Sequence, residues 1–442
     1  VVRRHYKSNL PKISDDGLRR LRNALTLLKK LCREQGLFPG SVKKWTPQEV
    51  IDTRAPSKKA SYTRGFETLA KHGWTKRSAY IKVFVKDEKG CWDEKPCRLI
   101  QYRAGMEYTC ALAQYLAPLE HALYKIRLHG TRLFAKGLNP KQRAEGIVAA
   151  GRGPDYEYRM LDHSAFDAHV SMEHLLLEHA FYQWIFPHDR ELQKLLACQL
   201  RNNCRSGAGV RWKTKGGRMS GDFNTALGNS LINTLIYLAW AEEHGVLSDP
   251  NYCQQVDGDD SWLLCRTTVA DPAPSDFTKY GMTTKLEGTA HIPEGVGFCQ
   301  SKPVQLEDGW MMCRDYKRVL ARLPYTVKNL PSKTWPRYAR GVSECEKILG
   351  QGVPVLDAIQ QGLCREFCQY TPLYFAEDER QLESLKGISN PARTITARAR
   401  VSYAMAWDIS PSTQETLEAC LLQHSWAKDY SEPARPPGGD AC

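Results

Sequence analysis

The segment YCQQVDGDDSWLLC, residues 252–265, constrains this chain more than any other. Two apolar-leaning runs flank an acidic, glycine-containing turn, a pattern that predicts a β-hairpin. Val256 before the turn and Trp262, Leu263 and Leu264 after it predict that the tip projects from a buried sheet. Asp257, Asp259 and Asp260 fall within four residues. Carboxylates so close repel one another at neutral pH and call for a cation. An Asp-Gly turn by itself is also a common solvated hairpin tip, so its meaning depends on what accompanies it.

A partner carboxylate stands upstream. Residues 158–167 read YRMLDHSAFD, a strand ending in Asp162, with Asp167 five residues later. A strand end puts a carboxylate on the rim of a sheet, where it reaches a metal without being buried unpaired. Asp162 and Asp259 on adjacent strands could hold two divalent metals about 3.5–4 Å apart, the separation used in phosphoryl transfer. Between them lies KTKGGRMSGDFNTALGNSLINTLIYLAW, a Lys/Arg/Gly loop that passes a Ser220-Gly221 step and enters a mainly apolar helix from about Asn224 to His244. Thr225 and Asn229 are four apart and face one side of it. Such a pair suits ribose recognition; it suits local capping equally.

The chain has 442 residues, 42% hydrophobic, enough for two or three domains or one multi-lobed enzyme. Its net charge of +13 points to a polyanionic partner, nucleic acid ahead of an anionic membrane surface. The 15 cysteines are odd in number, scattered, and follow no secretory leader, so a reducing compartment is expected. Cys91 with Cys97, Cys198 with Cys204, and Cys364 with Cys368 come nearest to metal-ligand spacing, but all lack the accompanying short pairs and histidines of a zinc site and read as ordinary thiols. No apolar run reaches the ~18–20 residues that span a bilayer. The start at Val1 fits a processed or readthrough product, or a mere boundary.

Leu18, Leu21, Leu25, Leu28 and Cys32 form one stripe of a helix otherwise rich in Lys and Arg. It would dock by its leucines, or use its basic face on RNA or a membrane. Residues 61–105 mix aromatic, β-branched and basic side chains; helix is expected from Ala111 through Leu128, after Ser171 as N-cap, and over much of 316–425. The ending SEPARPPGGDAC has the composition of a disordered tail.

The order DxxxxD, SGxxxTxxGN, GDD resembles motifs A, B and C of viral RNA-dependent RNA polymerases. VFVKDEKGCWDEKPCRLI at 83–100 resembles motif F, YGMTTKLEG at 280–288 motif D, and GFCQSKPV at 297–304 motif E. The wording SGDxNTxLGN and FCQSxPV is most similar to tombusvirus-like plant virus polymerases, with flavivirus-related enzymes more distant. The match covers roughly residues 80–320.

The resemblance implies an α+β right-hand fold: fingers, a palm built on an antiparallel sheet with an RRM-like core, and a mostly helical thumb. It implies an N-terminal region and fingers over 1–155 with motif F at 83–103, a palm over 156–315 with an interleaved fingers segment near 190–218, a thumb over 316–425, and a disordered tail over 426–442. Asp162 and Asp259, assisted by Asp260, would hold two Mg²⁺ or Mn²⁺ ions. Asp167 with Asn229 and Thr225 would read the 2′-hydroxyl of the incoming nucleotide, and Ser220 would lie near template or primer. Lys86, Lys95 and Arg98 would hold the triphosphate, and Lys285 would protonate the leaving pyrophosphate, with Lys279 an open alternative. Asp257 stands where the family often has a smaller or uncharged residue, and would either disturb metal binding or point into solvent.

The implied partners are an RNA template and product, nucleoside triphosphates, and a membrane-anchored viral replication protein, with host factors undefined. The implied setting is membrane-associated replication complexes in the host cytoplasm. A reverse transcriptase shares the palm carboxylates but normally carries a bulky gate against the 2′-hydroxyl; a catalytically inactive RNA-binding subunit would not need the full carboxylate set.

Overall fold

The computed structural model describes residues 10–86, 98–323, 326, 330–388 and 393–431. The described residues form two compact units, one built from 10–86, 98–136 and 150–291, the other from 137–149 and 292–431. Helices and antiparallel sheets alternate along it. Among the described residues no helix is long and apolar enough to cross a membrane.

The first unit holds two four-stranded sheets. One contains β1 (Ile81–Val85), β2 (Leu99–Arg103), β6 (Arg201–Ser206) and β7 (Arg211–Lys215) in the order β2-β1-β6-β7, with β1 and β6 parallel and the other pairs antiparallel. Between them in sequence lie the two-residue strands β3 (Arg127–Leu128) and β4 (Thr131–Arg132). The other sheet contains β5 (Tyr156–His163), β8 (Cys253–Asp257), β9 (Asp260–Arg266) and β10 (Thr284–Ala290) in the order β10-β5-β9-β8, antiparallel throughout. Helices fall after β5 and between β9 and β10, so the connectivity is β-α-β-β-α-β.

The core of this unit lies under the β5 sheet. The helix Thr225–Glu243 buries Leu227, Leu231, Leu235 and Leu238, and against it packs the helix Asp15–Glu34. That N-terminal helix docks by the expected stripe: Leu21, Leu25, Leu28 and Cys32 are buried, each buried leucine contributing about 1.5–3 kcal/mol. Ser14 caps its first turn by accepting from the Gly17 amide at 3.0 Å. On its basic side Lys29 and Arg33 sit over the Trp184 ring.

Two expectations are corrected here. Residues 426–431, expected as the start of a disordered tail, form the helix Trp426–Ser431, and Trp426 is buried in the core of the second unit. The helix expected over 111–128 runs Met106–Leu123 and gives way to the β3–β4 hairpin. His129 and Gly130 both adopt positive φ, 47° and 86°, the requirement of a two-residue type I′ turn, and this local chemistry outcompetes continued helix. The helix capped by Ser171 (Met172–Ile185) and the helix Thr225–Glu243 lie where the sequence places them.

In the second unit β11 (Ser301–Leu306) and β12 (Gly309–Arg314) form a hairpin covered by the helix Ala397–Trp407, where Ser402 accepts from the Gln305 amide at 2.9 Å. Helices Trp335–Gly350, Leu356–Phe367 and Pro411–Gln423 complete a mainly apolar core that includes Val304, Met311, Trp335, Ile359, Leu363 and Tyr403. Arg314 clamps Glu346 through two hydrogen bonds of 2.6 and 3.1 Å.

Candidate active site

Asp162 occupies the next-to-last position of β5, directly across from Lys285 of β10. One residue earlier, Leu161 pairs with Ser261 of β9. The carboxylate strand therefore ends beside the hairpin that carries the acidic turn. In that hairpin Asp257 pairs with Asp260, leaving Gly258 and Asp259 as the two turn residues. Gly258 has φ of 72° and Asp259 is not in the positive-φ set, the pattern of a type II′ turn with glycine at its first central position.

Because Asp257 and Asp260 are cross-strand partners, their side chains share a face. Asp257 is thus a further carboxylate on the side of the cluster, not one turned away from it. Desolvation, followed by Asp167, Asp162 and Asp257, raises the Asp259 pKa; desolvation, followed by Asp259, Asp257, Asp162 and Glu287, pushes Asp260 up to about 7. Dehydration and like-charge crowding thus act in the same direction at the tip, both disfavouring the ionised carboxylates.

A buried polar network fixes the rim from beneath. Ser230 Oγ accepts from the Gly258 amide at 2.9 Å, and Asn233 Nδ2 donates to the Gly258 carbonyl at 3.0 Å. Asn233 Oδ1 faces His163 Nε2 at 3.0 Å, whose other nitrogen meets Thr284 Oγ1 at 2.7 Å. Tyr237 joins His163 to Ser261, and Ser261 donates to the Leu161 carbonyl at 3.1 Å. Burial pushes His163 down to about 3, so the ring is neutral and serves as a hydrogen-bond node. The hairpin tip, the end of β5 and β10 are thereby tied to one helix.

The stretch 218–233 does the same toward the other sheet. Ser220 Oγ donates to Gln101 Oε1 at 2.6 Å, and the Gly221 amide donates to the Gln101 carbonyl at 2.6 Å. A Cβ on Gly221 would overlap that carbonyl, which explains glycine there. Arg103 holds Asp222 through two bonds of 2.5 and 2.6 Å, with both side chains almost wholly buried, and also donates to Asn202 Oδ1 at 2.9 Å. Asn224 donates to Glu178 Oε1 at 2.6 Å. Asn229 Nδ2 donates to Asp167 Oδ1 at 2.7 Å, and Arg218 Nε donates to Asn229 Oδ1 at 3.0 Å.

The expected ribose pair, Asp167 and Asn229, is therefore in contact. Thr225 is not part of that contact. Its hydroxyl reaches the carbonyls of Met219 at 2.9 Å and Asp222 at 3.0 Å and closes the turn before the helix. Lys279 is engaged by Glu243 and lies over Tyr280, whereas Lys285 is exposed opposite Asp162. Lys86 and Arg98 continue the β1–β2 ladder, the Lys86 amide donating to the Arg98 carbonyl at 2.8 Å. Lys95, Cys91 and Cys97 lie outside the described residues. Cys198, Cys204, Cys364 and Cys368 are free thiols.

Sequence reasoning missed Arg103, Asp222, Glu178, Arg218, Ser230, Asn233, His163 and Tyr237. One signal was available: Asn229 and Asn233 repeat at four residues inside an apolar helix, and buried amides need partners.

Among the described residues no three His, Cys, Asp or Glu side chains form a ready-made metal cage. A hard cation such as Mg²⁺ does not require one, since it keeps several waters and uses one or two carboxylates plus substrate phosphates. Asp162 with the exposed, mutually repelling Asp259 and Asp260 is a donor set of that kind.

The family model described as viral RNA dependent RNA polymerase matches residues 1–428. An RNA-directed RNA polymerase of Tobacco necrosis virus (strain A) is 29% identical over 410 residues, covering 87% of this chain and 55% of that protein. One from Melon necrotic spot virus is 28% identical over 402 residues, covering 86% and 50%. One from Red clover necrotic mosaic virus is 30% identical over 331 residues, covering 72% and 42%. The chain spans about half the length of the curated relatives it matches.

Proposed function

Since the chain belongs to the viral RNA-dependent RNA polymerase family, we propose that it copies a positive-strand RNA genome, transferring nucleotides from nucleoside triphosphates to the 3′ end of a growing RNA. The observation that carries this reading is the meeting of Asp162 with the Asp259-Asp260 tip at the ends of adjacent antiparallel strands. In this reading the β5, β8, β9, β10 sheet is the palm, the β1, β2, β6, β7 sheet belongs to the fingers, and the helices from Tyr316 onward are the thumb.

Asp162 and Asp259, assisted by Asp260, would hold two Mg²⁺ or Mn²⁺ ions. When bound, the ions lower the pKa of the attacking 3′-hydroxyl and neutralise charge on the leaving pyrophosphate. Lys285, opposite Asp162 and without the carboxylate partner that engages Lys279, is the residue of this chain suited to deliver a proton to that pyrophosphate. Lys86 and Arg98 extend the β1–β2 ladder, the Lys86 amide donating to the Arg98 carbonyl, and with Lys95 are proposed to take the triphosphate. Asp167 and Asn229 read the 2′-hydroxyl, and Ser220, tied to Gln101, sets the loop beside template or primer.

RNA as partner is supported by the β1, β2, β6, β7 sheet, whose strands contain no Asp or Glu. One face exposes Lys82, Arg201, Arg205, Arg211, Lys213 and Lys215 together with the Phe84–Tyr102 ring pair, the mixture of cations and stacking surfaces that binds single strands. A membrane-anchored viral protein and host cytoplasmic membranes complete the proposed setting.

Extension of a primed RNA template with Mg²⁺ or Mn²⁺ tests the reading. Ribonucleotides should be incorporated and deoxynucleotides discriminated against. Preference for deoxynucleotides would make the protein a reverse transcriptase, and RNA binding with no product would make it an inactive binding subunit.

A further inference from the structure

We propose that the buried Glu178–Arg218 pair is the positioning element of sugar selection, fixing which end of the Asn229 amide faces Asp167. The proposal rests on the reading that Asp167 and Asn229 recognise the 2′-hydroxyl.

An asparagine amide can turn either way, and its two ends are opposite in hydrogen-bonding character. A guanidinium only donates. With Arg218 Nε at 3.0 Å, Asn229 must turn its oxygen to the arginine, and its NH₂ then necessarily meets Asp167 Oδ1 at 2.7 Å. Arg218 touches the other member as well, its backbone amide donating to the Asp167 carbonyl at 3.0 Å. The arginine is thus bonded to both halves of the pair.

Glu178 fixes the arginine in turn. It takes both terminal nitrogens of Arg218, and its Oε1 also accepts from Tyr182 at 2.8 Å and Asn224 at 2.6 Å. Glu178 is 0% exposed and Arg218 2%. The two ions compensate each other in a site that water cannot reorganise, so the geometry is rigid. Gly228 belongs to the same device: a Cβ there would overlap both the Arg218 guanidinium and the Glu178 carboxylate. The Gly-Asn step of the SGxxxTxxGN stretch thereby reads as room for the pair followed by the residue it orients.

Single-nucleotide incorporation, measured as kcat/KM for a ribonucleotide and its 2′-deoxy analogue, tests this in the wild type, Asn229→Ala, Arg218→Lys and Gly228→Ala, with thermal melting as a folding control. Lysine keeps the charge against Glu178 but has no Nε to aim at Asn229. Arg218→Lys should lower the ribo-to-deoxy ratio by about three- to tenfold, the range one lost hydrogen bond supplies. The change should fall mainly on KM for the ribonucleotide. A merely structural role would depress both nucleotides alike. Gly228→Ala, which keeps both charges and displaces them, should act in the same direction and decides the matter where Arg218→Lys melts below the assay temperature. A wild-type ratio in these two variants, with a lowered ratio in Asn229→Ala, overturns the proposal. An unchanged ratio in Asn229→Ala overturns the ribose reading beneath it.

Discussion

The two four-stranded sheets of the first unit match in strand number and are opposite in charge. The β5 sheet gathers Asp162, Asp257, Asp259 and Asp260 at one end, while the strands of the β1 sheet carry no acidic residue and expose a run of lysines and arginines on one face. Their interiors differ too. The acidic end is pinned by neutral groups, His163, Asn233, Tyr237 and Ser230, whereas the basic sheet is tied to the 218–233 segment by the charged Arg103–Asp222 pair. The difference teaches that the site proposed to receive cations is held by hydrogen bonds that add no charge of their own. A buried carboxylate outside that site is instead neutralised by an arginine built into the fold.

Variants can break this division at either end. Asp259→Ala should abolish nucleotide incorporation while RNA binding by gel shift persists; retained synthesis would remove Asp259 from the metal-holding set. Arg103→Ala leaves Asp222 buried without its partner and should cost roughly 3–5 kcal/mol of folding stability, read as a fall in the denaturation midpoint. A loss below about 1 kcal/mol would mean that water reaches Asp222 and that the pair is a rim contact. The joint replacement of Arg211 and Lys213 by alanine should have the smallest effect, a several-fold loss of affinity for single-stranded RNA with the salt slope reduced by up to about 1.4. An unchanged salt slope would separate this basic face from the RNA path.

Much of the site was legible in the residues because its signals are local. The acidic turn needs a glycine at positive φ, and Gly258 supplies it. The strand end at Asp162 follows from an apolar run that stops, and the helix beginning at Thr225 from its periodicity. The misjudged helix end near 128 is also local, but the His129-Gly130 turn signal is weaker than an Asn-Gly or Asp-Gly pair would be. What was not legible is long-range. Arg103 and Asp222 are 119 residues apart and Arg218 and Glu178 are 40 apart, and no periodicity connects them.

The sequence alone determined which residues are proposed to carry the chemistry and in what order: Asp162, Asp167, the Ser220–Asn229 stretch, then the 258–260 turn. Turn geometry, strand alternation and helix periodicity act over a few residues and can be read directly. Tertiary structure decided the rest: that Asp257 shares the face of Asp260, that Lys279 is held by Glu243 while Lys285 stands opposite Asp162, that Thr225 closes a turn, and that Asn229 presents its NH₂ to Asp167. Those outcomes depend on which donor meets which acceptor across strands and helices. Distance and desolvation set such pairings, and they exist only once the chain has folded.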